Sequence, residues 1–241
     1  MDVLGRPWAL RLRNVLRQNS LARALYSRWM ASHAYEERFR ERLLGGVDGA
    51  STTVWDIGAN VGLYTQQILE RGAGHVVAFE PAPDAIQELR RRFEGATAAS
   101  QRVTIVPVAL SDTCATVHFS ADGSSALNRI MDENTAPAHN GGNSVEVSVL
   151  RADVALKTYG IPAPNVVKID VEGFELEVLR GFGELLSQPQ LRLILIEVHF
   201  ALLKERGFES APTEIVALLA RHGFKTEWLD LSHVCGTRVS Q

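Results

Sequence analysis

The chain has 241 residues, 46% of them hydrophobic and 22% charged, with a formal net charge of −3. That length holds one α/β domain of about 100–200 residues with an appendage, but hardly two large domains. The mild acidity argues against a generic nucleic-acid partner, which calls for excess Lys and Arg to displace counterions, and no run reaches the roughly 18 apolar residues of a membrane span.

The first fifty residues form a basic amphipathic segment. Trp8, Leu12, Val15, Leu16, Leu21, Leu25 and Trp29 recur at helical steps, with Arg6, Arg11, Arg13, Arg17, Arg23 and Arg28 between them. Such a segment suits an anionic surface, an acidic partner, or a sister subunit in a homodimer joined through these helices. The N-terminus lacks the apolar run and cleavage site of a secretory signal, so Met1 is taken as the start of the mature chain. Gly45, Gly46, Gly49, Ala50 and Ser51 read as a linker, giving an expected division into residues 1–50 and 51–241.

Strands and helices then alternate. TTVWDIG (52–58) is a strand, GLYTQQILERG (62–72) a helix, and HVVAFEP (75–81) a strand stopped by Pro81. Asp84 is placed to cap a helix carrying Ile86, Leu89 and Phe93. VTIVPVAL (103–110) reads as one strand, and ATVHFS (115–120) as another that pairs with VEVSVL (145–150). NVVKIDVEG (165–173) and LRLILIEVHF (191–200) are buried strands around a helix with Leu176, Val178 and Leu179. A helix near 212–222 and a terminal strand FKTEWL (224–229) end the pattern. Continuous apolar strands joined by helices imply a mostly parallel sheet covered on both faces.

In such a sheet ligands bind beyond the carboxyl ends of the strands. The first stop is Asp56-Ile57-Gly58-Ala59-Asn60-Val61-Gly62, in which glycine allows a tight turn and close ligand approach. The second is Glu80, about twenty residues on, where a carboxylate can accept from both hydroxyls of a ribose. An adenosine-containing ligand follows. A pyrophosphate over the turn would be opposed by Asp56, and the pattern is GxNxG where a dinucleotide site has GxGxxG. S-adenosylmethionine instead brings a sulfonium and an ammonium for Asp56, with its carboxylate assigned to the turn amides.

WDIGANVGLYT (55–65), VVAFEPAPDAIQEL (76–89), VALSD (108–112), VVKIDVEGFELEVLRG (166–181) and LILIEVH (193–199) resemble the successive blocks of the FkbM-type methyltransferases. The resemblance spans about residues 52–200. It implies a Rossmann-like class I methyltransferase with a seven-stranded sheet, using S-adenosylmethionine to methylate a hydroxyl of a sugar, polyketide or related natural product. Carried over, Asp56, Gly58, Asn60 and Gly62 resemble the methionine-side loop, Glu80 the ribose ligand, and Ala109, Ser111 and Asp112 part of the adenine wall. Ala59, Tyr64, Pro81 and Asp170, inside the same blocks, join them as cofactor-contact candidates. Two departures stand out: the family's Thr-Leu-Asp appears as Arg151-Ala152-Asp153, and the basic N-terminus lies outside the shared blocks.

The acceptor half is expected where the KID and IEVH strands stop. Alternation places Lys168 with Asp170, and Glu197 with His199. A hydroxyl loses its proton only near pKa ~16, so transfer needs a base, a metal or tight in-line positioning. His199 is the candidate base, with Asp170 or Glu197 orienting it and Glu172 and Lys168 as further catalytic candidates. Asp170 with Glu197 is the expected ligand pair should Mg2+ be used. His33, His75, His118, His139, His222 and His233 read as surface or packing residues. The polar stretch 121–144 is a candidate lid or acceptor loop, with Ser124, Ser125 and Asn128 as substrate contacts.

With two cysteines, Cys114 and Cys235, outside any metal-ligand spacing, a reducing cytoplasm is expected. The expected partner is a small hydroxylated acceptor, with neither nucleic acid nor a membrane span. An NAD-dependent oxidoreductase and a non-catalytic cofactor-binding subunit stay open as alternatives.

Overall fold

A computed structural model describes residues 34–95, 100–120 and 144–239. Seven strands form one sheet: β1 (Thr53–Ile57), β2 (His75–Phe79), β3 (Val103–Val106), β7 (Val166–Ile169), β8 (Leu193–Glu197), β9 (Phe224–Trp228) and β10 (His233–Arg238), in the order β3-β2-β1-β7-β8-β10-β9. The first five run parallel, and β10 pairs antiparallel with both β8 and β9. A second sheet has the order β4-β6-β5, from β4 (Ala109–Leu110), β5 (Ala115–Ser120) and β6 (Ser144–Leu150).

Period-two alternation sorts each central strand between two apolar layers. Trp55, Ile57, Val77, Phe79, Val167, Ile169, Ile194 and Ile196 face one layer. Val54, Val76, Ala78, Val166, Leu193 and Leu195 face the other. Helices cover both: α1 (Ala34–Gly45), α2 (Leu63–Glu70), α3 (Pro83–Phe93), α4 (Ala152–Tyr159), α5 (Glu175–Gly181), α6 (Phe200–Glu205) and α7 (Ala211–Arg221). Phe39 and Leu43 of α1 and Val47 after it are buried with Val54, Val166 and Leu193. Gly46 packs directly under Leu193. Within the run read as a linker, Gly46 is thus packed on the body, while Gly45, Ala50 and Ser51 are exposed. The helical repeat from Trp8 to Trp29, with any dimer contact through it, lies outside the described residues, as does His33.

Several expectations need correction. VTIVPVAL is broken at Pro107, which lacks an N–H for the ladder; β3 stays in the main sheet and β4 joins the small one. FKTEWL is an edge strand and not the terminal one, because β10 follows it and inserts between β8 and β9. Helix α3 starts with Pro83 after Ala82 and has no side-chain cap, so Asp84 only lends its charge to the first turn. Phe200 opens α6 and does not extend β8. The expected pairing of 115–120 with 145–150 is present, antiparallel. No helix among the described residues is long and apolar enough to cross a membrane.

Candidate active site

A cavity opens at the carboxyl ends of β1, β2, β4 and β7. One wall is Ile57, Gly58 and Asn60 after β1, and the next is Phe79, Glu80 and Pro81 with Ala82 and Ala85. Val108, Ala109, Leu110 and Ser111 face them beside Val149, and Asp170, Val171, Glu172 and Phe174 complete the ring. Apolar side chains and backbone thus surround three carboxylates, those of Glu80, Asp170 and Glu172.

Glu80 is the best-fixed of these. It is buried, its Oε2 accepts from the Asn60 amide at 2.8 Å, and its Oε1 accepts from the Ala82 amide at 2.9 Å. Burial pushes its pKa up, against the pull of those two amides and of Lys168. Each oxygen keeps a second acceptor site for a ligand hydroxyl. Gly58 is dictated by backbone approach: its φ is 74°, and a Cβ there would meet the Asp170 carbonyl oxygen at 1.9 Å.

The rest of the opening turn departs from expectation. Asp56 and Lys168 are direct register partners on β1 and β7, both pointing into an otherwise apolar layer. Lys168 Nζ stands 3.0 Å from Asp56 Oδ1 and 3.5 Å from Asp170 Oδ2, and donates to the Gly58 carbonyl at 2.8 Å. Thr65 Oγ1 donates to Asp56 Oδ2 at 2.7 Å. Burial opposes the Lys168 charge, but Asp56 and Asp170 outweigh it and raise its pKa. Asp56 is fully buried and does not line the cavity, and its charge faces Lys168 and Thr65 within the sheet. Lys168, 2% exposed, ties two strands together and does not line the cavity.

The turn amides are likewise occupied. Gly58 and Ala59 both donate to the Phe79 carbonyl, and Gly62 donates to that of Ala59. Gly62, Ala59 and Tyr64 are not in the cavity wall. A Cβ at Gly62 would strike Phe93 and Leu89, so this glycine, at φ 83°, serves the packing of α2 on α3. Tyr64 makes an edge contact with Phe39, at 5.7 Å between ring centroids. Pro81, Ala109 and Ser111 do line the cavity. Asp112 does not: it takes a long hydrogen bond from Ser111, and Arg151 donates to its carbonyl.

Beyond β7 and β8 the ionisable groups pair differently from the sequence reading. His199 stands at the N-cap position of α6, and its Nδ1 lies 2.6 Å from Oε1 of Glu175, a fully buried carboxylate that also accepts from the Gly173 amide at 2.8 Å. A carboxylate only accepts, so Nδ1 carries the hydrogen. Burial would lower the His199 pKa, but the Glu175 bond and charge, with Glu197 and Glu172, push it up to about 9. Nε2 faces Glu172 and Asp170 at 3.5 and 3.7 Å. Both of those carboxyls are pushed up, chiefly by burial. Glu172 holds a left-handed φ of 51°, in a turn propped by Arg206, which donates to the Gly173 carbonyl and to Glu177 and lies over Phe174.

Glu197 does not orient His199. Its cross-strand partner on β10 is His233, whose Nε2 is 3.5 Å from Glu197 Oε2 and whose Nδ1 is 2.8 Å from Asp230 Oδ2. Asp230 Oδ1 accepts from the Ser232 and His233 amides. Burial works against a charge on His233, yet Asp230 and Glu197 push its pKa up to about 9. Burial also raises Glu197, but His233 brings it to a net lowering. Glu175 is thus a partner of His199 that the sequence reading missed, while Asp230 and His233 form a buried pair that engages Glu197 away from the cavity wall. Glu197 is replaced by Glu172 in the group whose donor atoms converge on His199. Ser124, Ser125 and Asn128, in the candidate lid, lie outside the described residues.

A family profile described as "Methyltransferase FkbM domain" matches residues 56–226. The chain belongs to the FkbM methyltransferase family. It is similar to the 31-O-demethyl-FK506 methyltransferase FkbM of Streptomyces tacrolimicus, 32% identical over 239 residues and covering 88% of each chain. It is also similar to the hexuronic acid methyltransferase AglP of Haloferax volcanii, 28% identical over 178 residues, covering 72% of this chain and 64% of the relative. The methyltransferase FkbM structure from Methylobacillus flagellatus shares the fold at a TM-score of 0.50 and 18% identity, covering 78% of this chain and 44% of that one. A methyltransferase-fold structure from Streptococcus mutans in complex with SAH matches at 0.50 and 12%, covering 84% and 97%. This FkbM-family chain thus spans less than two thirds of AglP and less than half of the Methylobacillus chain, and the shared body is the class I methyltransferase fold.

Proposed function

We propose that this FkbM-family protein is an S-adenosylmethionine-dependent O-methyltransferase acting on a hydroxyl of a sugar or polyketide-type molecule. The observation that carries the reading is the cavity ringed by Glu80, Asp170 and Glu172, with the neighbouring Lys168 already neutralised by Asp56. A pyrophosphate would meet carboxylates there, whereas a sulfonium and an ammonium would meet opposite charge. Glu80, oriented by two amides, suits the ribose diol, and the apolar face from Val108 to Leu110 suits the adenine. The acceptor class is taken from the relatives, whose names give a hexuronic acid and 31-O-demethyl-FK506.

In this reading the acceptor oxygen attacks the methyl in line from the side of Asp170, Glu172 and His199. Catalysis rests mainly on positioning and on removal of the hydroxyl proton. At neutral pH the Glu175-bound imidazole is protonated and serves as a donor or charge partner. It becomes a base only as pH approaches about 9, the value to which Glu175 and its neighbours bring it against burial. Without a bound ion, Asp170 and Glu172, whose pKa values are raised by burial, are the carboxylates that would accept the proton below that range. The test is transfer of a labelled methyl group from S-adenosylmethionine to a panel of sugars and macrolide alcohols. Asp170→Asn is expected to abolish turnover while S-adenosylhomocysteine still binds. Failure of the wild type to bind the methyl donor at all would refute the reading.

A further inference from the structure

Three donor atoms from separate places in the chain converge beside the carboxylate wall of the cavity. Asp170 follows β7, Glu172 has a left-handed backbone, His199 occupies the N-cap position of α6, and one ligand atom from each lies within 4.8 Å of the others. His199 Nε2 is 3.5 Å from Glu172 Oε2 and 3.7 Å from Asp170 Oδ1. Both separations exceed the N–H···O range of about 2.7–3.2 Å, so this edge of the imidazole is hydrogen-bonded to neither carboxylate. They match instead two ligands held about 2.1 Å from one ion, roughly 115° apart as seen from it.

The other edge of the ring is fixed. Glu175, fully buried, takes the Nδ1 hydrogen at 2.6 Å, which leaves the Nε2 lone pair of the neutral ring directed at the two carboxylates. A buried carboxylate behind a histidine is the usual outer support of an imidazole that ligates metal. Glu172, half-exposed, leaves the outward side of the triangle open for the ion's remaining ligands.

We propose that Asp170, Glu172 and His199 bind one divalent cation of the Mn2+ class where the cofactor cavity meets the acceptor side. One imidazole nitrogen with two carboxylate oxygens suits Mn2+, Fe2+ or Zn2+ better than Mg2+. Glu197, turned toward His233, is outside the ligand set. The ion's role rests on the O-methyltransferase reading: it binds the acceptor oxygen and lowers its pKa, which removes the need for a strong protein base. Binding of the ion itself does not depend on that reading.

The experiment is calorimetric titration of the chelator-treated full chain with MnCl2 at mildly alkaline pH, with the Mn2+ resonance spectrum recorded on the same samples. One ion per chain and nitrogen coupling from the imidazole are expected. His199→Gln should lose the coupling, and Glu172→Gln and Glu175→Gln should each weaken binding about 10–100-fold. Glu214→Gln, on the remote α7, should leave binding unchanged. S-adenosylhomocysteine binding by every variant reports that the fold is intact. Absence of Mn2+ binding below about 1 mM, or binding that survives both His199→Gln and Glu172→Gln, overturns the site. If S-adenosylhomocysteine binds while Mn2+ does not, the ion is refuted and the methyl-donor reading stands.

Discussion

The two halves of the cleft are built by different means. On the cofactor side, backbone fixes the chemistry: Gly58 must be glycine because the Asp170 carbonyl lies against it, and Glu80 is aimed by two amides. On the acceptor side, side chains fix one another through ion pairs between distant segments: Asp56 with Lys168, Glu175 with His199, Glu197 with His233. Substitution should therefore act locally on the first half and spread through the second.

The sharpest break of that contrast is at Lys168. Lys168→Met leaves Asp56 buried without its cation, and a loss of about 3–5 kcal/mol in urea unfolding is expected. Adding Asp56→Asn should recover much of it, since the uncompensated charge goes too. If the single variant unfolds like wild type, the pin between β1 and β7 does not matter. Glu80→Gln should be local: S-adenosylhomocysteine affinity falls by roughly 10–100-fold, the size of about 1.5–3 kcal/mol for a charged hydrogen bond, with an unfolding midpoint close to wild type. Loss of both together would erase the distinction between the halves.

A pH series tests the acceptor side more gently. His199 and His233 are each pushed up to about 9 in the folded chain by Glu175 and by Asp230 with Glu197, against the opposing effect of burial. An unfolded histidine titrates near 6.5. A folded value above the unfolded one gives stability that is full below about pH 6.5 and lost as pH rises through about 9. The ion-free wild type should therefore lose stability across that window, by about 3 kcal/mol for each imidazole at roughly 1.4 kcal/mol per pKa unit, and His233→Gln should flatten roughly half of the slope. A flat wild-type profile would show that the two imidazoles are not held as cations. The smallest effect belongs to Asp112→Asn, expected within about 0.5 kcal/mol in stability and with unchanged cofactor affinity, because its side chain stays outside the cavity.

The same division explains what could be read from the residue string. Glu80 was legible because a strand stop and an interval suffice to place it. The sheet was legible from apolar runs, except at β10, whose HVCGTR has a glycine and few branched residues to mark it. The pairing of Asp56 with Lys168 was not legible, because it needs β1 beside β7 in a given register, 112 residues apart. Alternation put Asp56 on a face without saying that an ammonium shares it, so its charge was assigned to a ligand. Glu197 was misassigned for a similar reason: its partner is set by the insertion of β10. Glu175 stands at no strand stop in the string, and only the folded chain brings it against His199.

The most direct measurement is parallel calorimetry of the wild-type chain with S-adenosylhomocysteine and with NADH under one buffer. The expected result is one S-adenosylhomocysteine per chain, weakened by Glu80→Gln, and no NADH binding. Saturable NADH binding that depends on Glu80, with none for S-adenosylhomocysteine, would contradict the cavity's preference for a nucleoside without phosphate.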